Sequence, residues 1–146
     1  MLRGNCPATI DSKGRLKIPN LFRRHLEEKY GRDFFVTSHT GDFARIYPMP
    51  IWLEVEKKIA AAPSMTPAVA RYTNLVNFYG QPASMDDQGR LLIHPHLRTK
   101  GGLDGSVAVL GNLTHIDVWS RERFEAILAA SPLTDEDRRT LADLGL

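Results

Sequence analysis

Apolar and polar residues alternate through Arg15-Leu16-Lys17-Ile18. Leu16 and Ile18 fall on one side and Arg15 and Lys17 on the other, which predicts a half-buried strand. Asp11-Ser12-Lys13-Gly14 just before it reads as a tight turn. The aspartate can accept from backbone N–H groups a few residues on, and the glycine can take a positive φ. Pro19 ends the strand, and Leu21, Phe22, His25 and Leu26 have the spacing of a short helix. Phe34–Thr37 and Phe43–Tyr47 are β-prone runs around a turn at His39–Asp42. Trp52, Val55 and Ile59 then make one apolar helix face. A linker over residues 62–67 leads through Thr66-Pro67, a cap and first-turn proline, into a helix with Val69, Tyr72 and Val76 on one stripe, ended by Gly80.

The succession then begins again. Residues 8–18 read ATIDSKGRLKI and residues 83–93 read ASMDDQGRLLI, at a constant offset of 75. The second pass has strand runs at Ser106–Leu110 and His115–Trp119, with Gly111-Asn112 expected as the turn between them. Ser120 is a candidate cap, and Phe124, Ile127 and Leu128 share a helix face. Thr134-Asp135-Glu136-Asp137 opens a last short helix with Leu141 and Leu144. A repeat of this length predicts two similar modules. The expected division is a first module at 5–51, a helical connector at 52–79, a second module at 80–123 and a helical tail at 124–146. The elements predict an α+β chain that is mainly β. Each module has roughly 45 residues, near the size where one core stops being sufficient, so the modules are expected to share surface with each other or with another subunit.

The 146 residues are 42% hydrophobic and 25% charged, ordinary for a globular protein. No run approaches a membrane span, and the first residues lack the apolar region of a secretory signal. The single Cys6 cannot close an intrachain disulfide, which suits a reducing cytoplasm. Charge is uneven. Residues 1–32 hold eight Lys/Arg against three acids, a net of +5, while residues 131–146 hold two against four, a net of −2. A basic head on a nearly neutral body suggests a local patch for a polyanion.

Lys13, Arg15 and Lys17 are the densest cationic group. Arg15 has two readings: contact with phosphate or a base edge, or an ion pair with Asp11 that locks the turn. The second copy is poorer in charge, with Gln88 for Lys13, Leu92 for Lys17, an added Asp87, and Arg90 retained. The first module is therefore expected to make most polyanion contact and the second to support assembly. Other chemistry is thin. Ser12 and Ser84 have no evident His–acid partners, no phosphate-cradling glycine loop exists, and Asp86-Asp87 is better read as turn chemistry than as a catalytic pair. His94-Pro95-His96 with His115 makes a weak metal pattern, and surface histidines at a turn are the simpler reading. Trp52 and Trp119 are expected to pack rather than stack on bases. No enzyme activity, cofactor or metal is expected.

DSKGRLKIP at 11–19, YPMPIW at 47–52, DDQGRLLI at 86–93 and VWSRERFE at 118–125 together resemble the MraZ family, over most of the chain. The resemblance implies tandem swapped-hairpin modules related to AbrB and SpoVT, forming a compact pseudo-two-fold β-barrel with connecting helices. It also implies a cytoplasmic, nucleoid-associated transcriptional regulator. Such a protein binds double-stranded DNA at direct repeats in the promoter of the division and cell-wall gene cluster, as a ring-like homo-oligomer. On this reading Arg3, Lys13, Arg15, Lys17 and Arg90 contact DNA, and Asp11, Gly14, Asp86 and Gly89 build the turns. His94 stands where the family commonly has proline, and the last fifteen or so residues are least family-like. The competing reading is an antitoxin-like protein-interaction scaffold on the same fold, and a hydrolase using Asp86 is a distant third. The sequence leaves open whether the modules exchange hairpins within one chain or between chains.

Overall fold

The computed structural model describes residues 1–63 and 65–146, so Ser64 of the linker lies outside the described residues. Among these described residues, eight strands form one antiparallel sheet: β1 (Leu2–Ile10), β2 (Arg15–Lys17), β3 (Asp33–Thr37), β4 (Ala44–Pro48), β5 (Gln81–Ser84), β6 (Arg90–Leu92), β7 (Gly105–Leu113) and β8 (His115–Ser120). Six helices accompany them: α1 (Asn20–Tyr30), α2 (Met49–Ala61), α3 (Pro67–Phe78), α4 (Pro95–Gly101), α5 (Arg121–Ala130) and α6 (Asp135–Asp143).

The strand order is β5-β3-β4-β8-β7-β1-β2-β6, and the turn after β5 brings the sheet back to β6, leaving a nearly closed barrel. The order interleaves the two copies. The first strand of each copy pairs with the third strand of the other: β1 with β7, and β5 with β3. Exchange of strands between modules therefore takes place within this one chain. The local pseudo-two-fold axis passes through two self-equivalent pairings. At one pole Leu16 faces Leu91, residues 75 apart; at the other Arg45 faces Asp117, residues 72 apart.

Inward positions of seven strands supply the buried core, and β5 packs the half-buried Ala83 against it. Leu2, Ile10, Leu16, Phe34, Val36, Ile46, Leu91, Val107, Val109, Ile116 and Val118 are buried there, and α1 and α4 add Phe22, Leu26 and Leu97. A second cluster lies on the outer face, where α2 and α3 cover β3 and β4. Phe35, Tyr47, Trp52 and Val76 pack together, with Phe35 stacked on Trp52 at 4.4 Å. Trp119 stacks on Phe43 at 4.5 Å. Both tryptophans are thus packing residues.

The Arg45–Asp117 pole is polar and largely buried. Arg45 Nε and Nη2 donate to the two Asp117 carboxylate oxygens at 2.8 and 3.0 Å, and Asn112 Nδ2 donates to Asp117 at 3.3 Å. His39 lies against Arg45 at 3.2 Å and against the Tyr47 hydroxyl at 3.2 Å. Burial, reinforced by the Arg45 charge, pushes the His39 and His115 imidazoles below their ordinary pKa.

One local expectation changes, and one departure from the family pattern is accommodated. Gly111-Asn112 is strand, not turn: β7 continues to Leu113 because nine-residue β1 pairs along its whole length, Gly4 opposite Gly111. A Cβ on Gly111 would collide with the Arg3 backbone, so this glycine serves close approach. The chain reverses at Leu113, φ +65°, and Thr114. His94, in the proline position, takes φ −57° and ψ 139°, almost the −55° and 138° of Pro19, and its Nδ1 accepts from His96 N–H at 3.2 Å. The turn survives because the backbone geometry is kept and Pro95 opens the helix instead.

Candidate nucleic-acid interface

β2 and β6 form a three-residue ribbon across the axis. Leu16 and Leu91 point into the core, so their neighbours must point out. Arg15 lies opposite Leu92 and Lys17 opposite Arg90 on this outer face. The bonds Ile18 N–H to Gly89 O and Ile93 N–H to Gly14 O, both 2.9 Å, extend the ribbon and tie each strand to the other copy's turn.

The two turns have the same construction. Asp11 Oδ1 accepts from the N–H groups of Lys13 and Arg15, both at 2.9 Å, and Oδ2 accepts from Arg15 Nε at 2.8 Å. Asp86 accepts likewise from Gln88 and Arg90 N–H at 2.9 Å and from Arg90 Nε at 2.8 Å. Gly14 and Gly89 close the turns at φ +82° and +75°, a region that favours glycine. Each aspartate thus holds the backbone of the turn and the aim of its arginine. It engages the arginine only through Nε, and neither Nη of Arg15 has a partner among the described residues. The two sequence readings of Arg15 are therefore compatible in one side chain: pairing with Asp11 leaves the outer edge of the guanidinium open.

The N–H donors, of Arg90 first and then its guanidinium, hold the Asp86 carboxyl at about 2, against an ordinary 3.8, and burial only partly opposes them. Asp11 is shifted down for the same reasons. A depressed folded-state pKa contributes stability that is complete above the unfolded value and is lost as pH falls through the folded one. Thermal melts are thus expected to drop between about pH 4 and pH 2, and the drop should shrink in Asp86→Asn. An identical pH profile in that variant would contradict the assignment.

The structure brings Arg15, Lys17 and Arg90 together on one face, with Lys13 on the adjoining turn. Lys17 donates its ammonium to Gln88 O, on the turn of the second copy. The cations are therefore shared between the two ends of the ribbon: Lys13 and Arg15 at the first turn, Lys17 and Arg90 at the second. Arg3 is elsewhere. It pairs with Asn112 seven residues before Ile10, roughly 23 Å along the strand at about 3.3 Å per residue. Two further arginines occupy the ribbon's surroundings. Arg98 of α4 lies against Gly14, and Arg23 of α1 lies against Gly89. Both are missing from the sequence-derived set, although their own separation of 75 is the repeat offset and marks them as a matched pair. His94 and His96 lie at the start of α4 while His115 belongs to the Arg45 pole, and no metal-holding cluster of His, Cys, Asp or Glu occurs among the described residues.

Known proteins extend this picture. A family model described as "MraZ protein, putative antitoxin-like" matches residues 1–75 and 81–144. A protein of Acidobacterium capsulatum named transcriptional regulator MraZ is 43% identical over 146 residues, covering all of both chains. One of the same name from Koribacter versatilis is 44% identical over 147 residues, again over all of both chains. Another from Chromobacterium violaceum is 33% identical, covering 93% of this chain and 92% of its own. With a family model over nearly its whole length, full-length relatives at this identity, and two interleaved copies of the Asp–Gly–Arg turn, the chain belongs to the MraZ family of transcriptional regulators.

Proposed function

We propose that this protein regulates transcription by binding double-stranded DNA through the outer face of the β2–β6 ribbon. The observation that carries this reading is the clustering of Arg15, Lys17 and Arg90, with Lys13 beside them, on a rigid two-stranded edge. Arg15 is the base reader, since its free Nη groups suit a bidentate acceptor such as guanine. Lys13, Lys17 and Arg90 neutralise phosphates. Arg3 sits apart from the ribbon and would reach only DNA that extends beyond it. Asp11, Gly14, Asp86 and Gly89 hold the turns. The target is a set of short direct repeats in the promoter of the division and cell-wall gene cluster, and the site of action is the cytoplasm, at the nucleoid. No helix among the described residues is long and apolar enough to cross a membrane.

A repeated operator suits a repeated protein. Several subunits in a ring-like homo-oligomer present several ribbons, and each later contact is effectively intramolecular. Ile127, Leu128, Leu133 and Leu144 are exposed on and around α5 and α6, which supports an association role for this end of the chain. The same exposed residues are what favours the second reading, an antitoxin-like scaffold for another protein.

The test is a fluorescence titration of a direct-repeat promoter duplex at several salt concentrations, with native mass spectrometry of the complex. Three or four phosphate contacts per engaged subunit imply a fall of roughly 40- to 150-fold in affinity between 50 and 200 mM salt. The masses should show several subunits per duplex. Salt-insensitive binding, or equal affinity for duplexes with and without the repeats, would refute the mechanism. Retention of a stoichiometric protein partner without DNA would favour the scaffold.

A further inference from the structure

We infer that Arg98, carried by α4 of the second copy, is a DNA-phosphate contact at the first turn, so that this half of the binding face is built from both copies. The inference rests on the DNA-binding reading above.

The geometry is that of an anchored but unspent guanidinium. Arg98 Nε donates to Ile93 O at 2.9 Å, which fixes the side chain at the root of the ribbon. The guanidinium lies over Gly14, and a methyl group at that position would collide with it. Gly14 is thus needed twice, for its φ and for the space that Arg98 fills. No carboxylate comes within 4.0 Å of Arg98, and its two Nη groups have no partner, among the described residues. Lys13, Arg15 and Arg98 therefore surround one turn whose single acid, Asp11, is already engaged by Arg15. Three close cations with unused donors form a site for an anion, and a planar guanidinium can take a phosphate through two parallel bonds.

Arg23 provides an internal comparison. It occupies the equivalent place over Gly89, yet two of its three nitrogens are engaged and its charge is paired with Glu27. Nε bonds Glu27 at 2.9 Å and Nη2 bonds Asp87 O at 2.9 Å. Arg32, close by, is held by Asp87 at 2.7 Å and by Glu27 at 3.7 Å. The position equivalent to Glu27 is Gly102, so α4 has no acid to occupy Arg98. The backbone scaffold is symmetric, but the electrostatics leave one arginine free and neutralise the other.

The experiment measures the salt dependence of binding by the full chain to a direct-repeat duplex and to a scrambled duplex, for Arg98→Gln, Arg98→Lys, Arg23→Gln and Arg15→Ala, with a melting curve for each. Arg98→Gln is expected to weaken both duplexes alike and to lower the slope of log affinity against log salt by about one per bound subunit. Arg98→Lys keeps the slope, and Arg23→Gln leaves it unchanged. A wild-type slope in a folded Arg98→Gln, or an equal loss in Arg23→Gln, overturns the inference. If Arg98→Gln does not melt cooperatively, Arg98→Lys decides: a slope about one lower despite the retained charge overturns it. Arg15→Ala separates the two levels. Wild-type binding by Arg15→Ala removes the ribbon reading and this inference together. A weakened Arg15→Ala beside an unaffected Arg98→Gln removes this inference alone.

Discussion

Asp117→Ala is expected to destabilise the protein by about 3 kcal/mol, the low end for removing one partner of a buried ion pair, because Arg45 keeps some solvent contact at 18% exposure. For a chain of this size that corresponds to roughly a 10 °C fall in melting temperature. The cost arises from what remains: an arginine, bonded by Asp117 through two donors, left with His39 and the neighbouring rings. Arg45→Met combined with Asp117→Leu removes both charges and should recover most of the loss, as apolar replacement of buried pairs commonly does. A melting shift under about 2 °C for Asp117→Ala would show that the pair is dispensable.

This pair also bears on which modules meet. It sits on the pseudo-two-fold axis, where two identical modules would place arginine against arginine or aspartate against aspartate. Like charges facing each other across a sheet are destabilising, so the opposite charges favour pairing of the first copy with the second. The double reversal Arg45→Asp with Asp117→Arg keeps this complementarity and is expected to be far closer to wild type in stability than either single reversal.

Arg15→Ala is the variant expected to affect binding most. Losing a bidentate base contact costs roughly 1–3 kcal/mol of discrimination, about 5- to 150-fold for each engaged subunit, and several subunits on repeated sites multiply the effect. Preference for direct-repeat over scrambled DNA should collapse, while folding should suffer little because the turn retains the Asp11 bonds to backbone N–H groups. Arg90→Ala removes a cation that lies opposite Lys17 on a turn carrying a second acid, Asp87, so its loss should be smaller and similar on both duplexes. Equal or greater loss of preference in Arg90→Ala would place base reading at the second turn instead.

Several parts of this were legible along the chain. The Asp–Gly spacing specified both turns, since an acceptor side chain and a glycine that tolerates positive φ are local requirements. Alternation placed Leu16 inward with Arg15 and Lys17 outward, and Ser120 was readable as a cap, which its bond from Arg123 N–H at 3.4 Å matches. The expected Gly111-Asn112 turn failed because glycine marks close approach as well as reversal, and only the partner strand tells which.

Placement across the molecule was not legible. Lys17 belongs to the first copy by sequence yet rests on the turn of the second, because β2 pairs with β6. Arg3 shares the basic head with Arg15 but lies at the far end of β1. Arg98 is 84 residues from Gly14 and covers it. The sequence by itself determined the repeat, the turns and the face on which each cation lies, because these depend on backbone dihedrals and period-two geometry among near neighbours. The tertiary structure decided which cations meet and which are neutralised, because antiparallel register and interleaving of the copies join residues that local periodicity cannot relate.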